Sequence, residues 1–174
     1  IHVFGNGIQN SQTTTLIVDS STVEGGYMGI CGNGSTAYYG TDIQINNSTV
    51  KGKWAGIYPP QRDSKLRIEG NSFVEGFTAL AIKGGTVIVR DSTITATATS
   101  DASSLIKNPT DDQLSRNGFA DTGAAVYIEA SYAWADSIRV EIKNSSVHSQ
   151  ANTAVLILGP QKDKVILTQV DVRQ

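Results

Sequence analysis

The chain has 174 residues and a formal charge of −2, with 14 Lys and Arg against 16 Asp and Glu. That length fits one domain, and the balanced charge argues against nucleic acid or an anionic membrane as the main partner. The 17 Gly, 17 Ser, 17 Thr and 10 Asn residues favour strands and turns over helices. A single cysteine, Cys31, excludes an internal disulfide and a cysteine-based zinc site.

The chain begins with Ile1-His2-Val3-Phe4, without Met and without a basic-then-apolar leader. No apolar run is long enough to span a bilayer. We therefore expect a processed protein or a piece of a longer one, with residues 1–174 forming a single domain.

One short pattern recurs six times: two apolar residues two positions apart, a polar bend, and a third apolar residue that we call the anchor. The anchors are Val23, Val50, Phe73, Ile94, Val147 and Val172. Seven positions before them stand Leu16, Ile43, Leu66, Val87, Val140 and Val165, and five positions before them stand Val18, Ile45, Ile68, Val89, Ile142 and Leu167. Apolar residues at alternate positions predict a strand with one buried face.

A second strand is predicted after each anchor, where Gly or Ala precedes an apolar residue. These apolar residues are Ile8, Ile30, Ile57, Leu80, Val126 and Val155. Successive anchors are 27, 23, 21, 53 and 25 residues apart, so one repeat carries an excursion from about residue 95 to 122. A period in the twenties with several short strands is typical of a β-solenoid, whose coils stack about 4.8 Å apart by parallel pairing.

Three positions before each anchor stands a residue that suits a bend or a left-handed backbone. The six residues are Ser20, Asn47, Gly70, Asp91, Asn144 and Gln169. We predict that they stack in one turn, one per coil.

The stretches IQINNSTVKGKWAGIY and VEIKNSSVHSQANTAVLI resemble coils of the right-handed parallel β-helix, the pectin-lyase-like superfamily. The resemblance covers nearly the whole chain. It implies an all-β, right-handed parallel β-helix of about six coils with one long inserted loop. It leaves function open, because this superfamily includes pectate and pectin lyases, polygalacturonases, phage tailspikes, autotransporter passengers and other surface adhesins.

In enzymes of this superfamily the groove follows the strand that begins at the Gly or Ala position. The outward residues expected there are Cys31, Tyr58, Ala81, Lys83, Tyr127, Glu129 and Leu156. Glu129 and Lys83 are the candidates for a catalytic pair, and the alternative is a solvated ion pair at the surface. A hydrolase needs paired carboxylates and a calcium site needs several converging oxygens. This column offers only Glu129, so we expect no metal and no cofactor.

Aromatic residues accompany the same strand and the loops beside it. The candidate ligand-binding residues are Tyr58, Tyr127, Tyr132, Trp134, Arg62 and Lys83. Aromatic rings stack on sugars, and Lys or Arg would bind a sugar carboxylate. The alternative is that the rings pack loops onto the body of the solenoid.

These observations favour a non-catalytic module of a secreted or surface-displayed protein, extracellular or on the cell surface. It would bind a polysaccharide, a cell-surface glycan or a host surface, or act as a rigid spacer. The alternatives are a carbohydrate-active enzyme, either a polysaccharide lyase or a glycoside hydrolase, and a phage tailspike-like fibre. Flanking domains and self-association through the coil ends are the other expected partners, whereas nucleic acid and membrane insertion are not expected.

Overall fold

In the computed structural model, the described residues are 2–3, 7–9, 15–31, 41–58, 63–98, 122–130, 138–150, 153–159 and 164–168. Within these ranges the chain forms eighteen strands and no α-helix. The strands make three six-stranded parallel sheets, and each turn of the chain contributes one strand to every sheet. The architecture is the predicted parallel β-helix of about six coils.

The sheets are named A, B and C in the order in which the chain visits them. Sheet A contains β1 (His2–Val3), β4 (Thr22–Gly25), β7 (Thr49–Gly52), β10 (Phe73–Gly76), β13 (Thr93–Ala96) and β16 (Ser146–Ser149). Sheet B contains β2 (Ile8–Gln9), β5 (Met28–Cys31), β8 (Ala55–Tyr58), β11 (Thr78–Ile82), β14 (Val126–Glu129) and β17 (Val155–Leu158). Sheet C contains β3 (Thr15–Asp19), β6 (Asp42–Asn46), β9 (Lys65–Glu69), β12 (Gly85–Arg90), β15 (Ile138–Lys143) and β18 (Val165–Thr168).

The core lies between the three sheets and consists of stacked apolar columns. In sheet C, Ile43 pairs with Leu66 and Ile45 pairs with Ile68, and all four side chains are buried. The alternation of apolar and polar residues predicted this inner face, because successive side chains of a strand point to opposite sides. Each fully buried aliphatic side chain contributes about 1.5–3 kcal/mol through apolar burial.

The bend between sheets C and A uses left-handed backbone, as predicted. Five of the six predicted residues have positive φ, with values from 44° to 67°: Ser20, Asn47, Gly70, Asp91 and Asn144. The sixth, Gln169, lies outside the described residues. Asn, Asp and Gly tolerate this conformation better than other residues, which accounts for the polar bend in the repeat.

A ladder of stacked serines, which the repeat pattern does not predict, follows the bend. The N–H of Ser21 donates to Ser48 Oγ at 3.0 Å, and the N–H of Ser48 donates to Ser72 Oγ at 3.1 Å. Each of these hydroxyls also donates to a carbonyl two or three residues earlier, as Ser48 does to Asn46 at 2.6 Å. The ladder supplies partners for backbone groups that the turn removes from the sheets.

The corner between sheets A and B requires glycine where the connection is short. A Cβ on Gly52 would lie 1.8 Å from the carbonyl oxygen of Ala55. Gly25 and Gly76 occupy equivalent positions in the neighbouring coils. The next residue in the column is Ala96, which is followed by the long excursion instead of a tight turn. Strand β13 runs to Ala96, so the first two residues of the predicted excursion belong to a strand.

Two predicted positions in the repeat are wrong. Val74, not Phe73, is the third anchor: Val74 pairs with Val50 and is buried, whereas Phe73 pairs with Thr49 and faces outward. The cause is an extra residue in the preceding bend, where both Gly70 and Asn71 have positive φ.

The last coil is displaced by two residues from its predicted pairing. Leu167, not Val165, pairs with Val140, and Val165 pairs with Ile138. Because the displacement is even, the inner and outer faces of β18 are those predicted.

Candidate functional site

The outer face of sheet B holds a second apolar cluster instead of an exposed column. The cluster contains Met28, Cys31, Ala55, Tyr58, Ala81, Ala124 and Tyr127, with Trp54, Leu156 and Leu158 packed against it. Its members come from five successive coils, on or next to strands β5, β8, β11, β14 and β17, because parallel pairing stacks equivalent positions. The expectation of a solvent-facing column along this strand is therefore wrong.

The amino-acid sequence contained the signal for this burial. Strand β11 reads TALAI and β14 reads VYIE, and every residue of both strands is buried. A strand covered on both faces has a nearly continuous apolar run instead of strict alternation. The pattern of the inner face alone does not indicate that the outer faces of β11 and β14 are also buried.

Lys83 and Glu129 form a buried ion pair at the edge of this cluster. Ala81 pairs with Tyr127 and Ile82 with Ile128, which brings Lys83 beside Glu129 on the same outer face. Lys83 Nζ lies 3.1 Å from Glu129 Oε2. Glu129 is 0% exposed and Lys83 is also buried, so the predicted ion pair exists but the expectation that it is solvated is wrong.

The surroundings of Glu129 favour its neutral form. Burial raises the pKa of Glu129, and the charge of Lys83 and its contact with the carboxylate offset this only in part. Glu129 Oε1 has no hydrogen-bond partner among the described residues. Lys83 Nζ also lies 5.9 Å from the ring centroid of Tyr58, within the range of a cation–π contact.

The predicted ligand-binding residues are only partly described. Tyr58 is 8% exposed and Tyr127 is fully buried, so neither presents an open ring face at the surface. Both rings pack within the apolar cluster on the outer face of sheet B. Arg62, Tyr132 and Trp134 lie outside the described residues, and their role in binding a glycan stays a prediction.

An aromatic pair lies at the neighbouring corner between sheets A and B. The rings of Tyr27 and Trp54 stack with centroids 4.5 Å apart and planes 14° from parallel. Tyr27 is exposed and is not among the candidate residues predicted from the sequence. The sequence indicates this pair only by position: Tyr27 lies two residues after the corner glycine Gly25, and Trp54 lies two residues after Gly52.

Among the residues that the structure describes, no group of three or more His, Cys, Asp or Glu side chains lies close enough to hold a metal ion. Cys31 is buried and carries no disulfide. The described part of the chain also contains no helix that is long and apolar enough to cross a membrane.

Comparison with known proteins identifies the family. Residues 1–167 match the family model described as "Periplasmic copper-binding protein (NosD)". The chain belongs to the NosD family. This is a family of right-handed parallel β-helices in the pectin-lyase-like superfamily, so the resemblance noted in the sequence is confirmed. No curated protein and no solved structure matches the chain.

Membership in the NosD family also bears on location. The family is periplasmic, which is compatible only in broad terms with the predicted extracellular or cell-surface location.

Proposed function

We propose that this chain is a non-catalytic β-helix module of a periplasmic protein and acts as a rigid spacer. The observation that supports this proposal is the filled outer face of sheet B. That face would carry a substrate groove in an enzyme of this architecture, yet its side chains from Met28 to Tyr127 are buried. A substrate needs access to its catalytic groups, and Lys83 and Glu129 are closed off from solvent.

The stacking of the coils supports the spacer role. Each coil contacts its neighbours through three sheets, and the inner columns are continuous from β6 to β15. Protein interiors packed in this way resist deformation. The outer face of sheet C adds ion pairs that connect coils, including Asp42 with Arg67 and Arg90 with both Glu69 and Glu141.

The name of the family raises the question of whether this chain holds copper. Copper(I) prefers the sulfur of Cys and Met, and copper(II) accepts imidazole. Among the described residues, Met28 and Cys31 are buried on one strand, whereas His148 is exposed on a different sheet. These residues do not fit a complete copper site, and the proposed role does not depend on one.

The rigid spacer can be tested by measuring one distance. Spin labels at Asp19→Cys and Lys143→Cys, in a Cys31→Ala background, would lie in one outward column four coil steps apart. At about 4.8 Å per step, the Cα atoms are about 19 Å apart. We expect a single narrow distance distribution, unchanged when the protein is attached to a surface or a neighbouring domain. A broad distribution would overturn the spacer role.

The absence of turnover can be tested in parallel. Incubation with uronate polymers should produce no unsaturated product and no new reducing ends, and Glu129→Gln should behave like the unchanged protein. Turnover that Glu129→Gln abolishes would replace the spacer with an enzyme that acts through the buried pair.

A further inference from the structure

The outer face of sheet C carries a cationic patch around one apolar side chain. Ile88 in β12 is half-buried and faces outward between Thr86 and Arg90 of the same strand. Its register partners in the adjacent coils are Arg67 of β9 and Glu141 of β15. We call the outward side chains of β9, β12 and β15 the β12 patch.

Cations outnumber carboxylates in the β12 patch, although the whole chain has a net charge of −2. The five cations are Lys65, Arg67, Arg90, Arg139 and Lys143. The two carboxylates are Glu69 and Glu141, and both are paired with Arg90, at 3.6 Å and 2.7 Å. At the border of the patch, Arg67 pairs with Asp42 of β6 at 3.3 Å. The carboxylates of this face are therefore neutralised by two of its arginines.

The other three cations of the patch are available to a partner. Lys65, Arg139 and Lys143 are exposed, and none of them makes an ion pair with another described residue. Lys65 and Arg139 lie on opposite sides of Thr86, one coil away in each direction. Their Cα atoms are therefore about 10 Å apart, so a carboxylate above Thr86 could contact both side chains. Lys143 lies beside Arg90, at the other end of β12.

The spacing of these groups along β12 matches an extended peptide. Thr86, Ile88 and Arg90 occupy alternate positions of the strand, about 6.6 Å apart, so Ile88 lies midway between two cationic ends about 13 Å apart. An extended peptide presents its own side chains with the same repeat. Extended chains packed on a sheet face keep within about 30° of the strand direction. An acidic, an apolar and an acidic side chain on one face of such a peptide would each meet a complementary group.

The size of the β12 patch favours a short segment over a globular partner. Its outermost Cα atoms span about 10 Å along the stack and about 13 Å along the strands. A stable interface between two globular proteins covers about 800 Å² on each partner, which is several times larger. The apolar centre disfavours a uniformly charged polymer, because such a polymer would cover Ile88 with a charged or polar group.

We propose that the β12 patch binds an extended acidic segment of a partner protein, with the pattern acid-x-apolar-x-acid. The first carboxylate lies between Lys65 and Arg139, the apolar side chain packs on Ile88, and the second carboxylate lies against Lys143 and Arg90. The contact is weak and sensitive to salt, because exposed ion pairs are screened and each contributes little. A rigid stack with this patch would hold its partner at one fixed coil.

Two synthetic peptides of equal composition test the pattern on the full chain. Fluorescence anisotropy should detect binding of labelled Ser-Glu-Thr-Val-Thr-Glu-Ser at low ionic strength and a lower affinity at high ionic strength. In Ser-Thr-Glu-Val-Glu-Thr-Ser the two acids are on the face opposite to Val. Each exposed ion pair is worth a factor of about 1.4 to 5 in affinity, so this second peptide should bind about threefold or more weakly.

Matched variants locate the contact. Lys65→Gln combined with Arg139→Gln should weaken binding of the first peptide by about 2- to 25-fold, through the loss of two ion pairs. Lys51→Gln combined with Lys53→Gln removes the same charge from sheet A and its corner. This control should bind nearly as well as the unchanged protein, because distant exposed charges are screened. Circular dichroism checks that both variants are folded.

The apolar centre of the patch has its own test. Ile88→Ser should weaken binding of the peptide with Val at its centre, and should not change binding of Ser-Glu-Thr-Ser-Thr-Glu-Ser. The proposal is overturned if the unchanged protein binds neither peptide at low ionic strength, if the two peptides of equal composition bind equally, or if the control variant loses as much affinity as the patch variant. A uronate oligomer of equal charge that binds as tightly as the first peptide, and also depends on Lys65 and Arg139, would replace the acidic segment with an anionic glycan.

Discussion

The backbone N–H of Ser21 donates a 3.0 Å hydrogen bond to the side-chain oxygen of Ser48, which occupies the same turn one coil further along. Ser48→Ala should leave that N–H without its acceptor and lower the free energy of unfolding by about 1–3 kcal/mol. Urea unfolding measures the change. Ser146→Ala is the control because Ser146 is exposed, and it should cost less than about 0.5 kcal/mol. Equal costs for the two variants would mean that the ladder does not stabilise the stack.

The inner face of β6 makes a second prediction. Ile45 is fully buried between Val18 and Ile68, so Ile45→Asp should prevent folding by placing an unpaired charge in the core. Gln44→Asp puts the same carboxylate on the outer face, one residue away, and should change the free energy of unfolding by less than about 0.5 kcal/mol. Circular dichroism with urea titration distinguishes the two. Similar damage from both would contradict the assigned faces.

Left-handed backbone at Asn47 supplies the third prediction. Its φ is 44°, and its side-chain Nδ2 donates to Ser20 Oγ at 3.3 Å. Asn47→Val should lower the free energy of unfolding by about 1–2 kcal/mol, because a branched side chain is strained in this conformation. Asn47→Gly removes the same hydrogen bond without strain and should be distinctly more stable than the Val variant. A Val variant as stable as the Gly variant in thermal melts would argue against the left-handed turn.

A double-mutant cycle tests the buried ion pair. Lys83→Met should lower the free energy of unfolding by about 3–5 kcal/mol, because it leaves the carboxyl group of Glu129 buried beside an apolar cluster without its partner. Combining Lys83→Met with Glu129→Leu should recover most of that loss, because the cluster then has no buried charge. If the two single changes simply add, the pair contributes no coupling and its geometry is incidental.

The raised pKa of Glu129 makes the fifth prediction, a pH dependence. Between the ordinary value of 4.5 and the raised value, the folded protein retains a proton that the unfolded chain has lost. The contribution of Glu129 is therefore fully present below the ordinary value and decreases as pH rises through the raised one. Urea unfolding over a pH series should show this decrease in the unchanged protein and not in Glu129→Gln.

Glu75→Gln is the control for that series, because Glu75 is a partly exposed carboxylate paired with Lys51. It removes the same charge while leaving the buried group in place, so the decrease should persist. If Glu129→Gln keeps the full slope of stability against pH, Glu129 is not its source.

The coil architecture could be predicted because one constraint repeats. Apolar residues equivalent to Ile43, Ile45 and Val50 occur in every coil at nearly constant spacing, so the six copies of the pattern support the same prediction. Phe73 was misplaced because it is also apolar, and the extra residue at Asn71 changes neither the composition nor the apparent pattern. A repeat reveals which faces point inward far better than it reveals an added residue in a turn.

The site was harder to predict because burial of an outer face depends on distant residues. The alternation of β11 and β14 correctly placed Lys83 next to Glu129 on the outside of sheet B. Whether that outside faces water is not a property of either strand. Only the excess of apolar side chains such as Ala81 and Tyr127 on the outer face indicated a covered surface.

Each strand pairs only with the equivalent strands of adjacent coils. The length of the stack can therefore change by whole coils without changing how the remaining strands pair. Thr49 and Phe73 stand at equivalent positions, as do Val50 and Val74. A recombination that joined Thr49 directly to Val74 would remove one complete turn and leave every remaining column in register. The stack would shorten by about 4.8 Å. Lineages that carry this fold can therefore adjust their reach in whole steps, through duplication or loss of single turns, without redesigning the core.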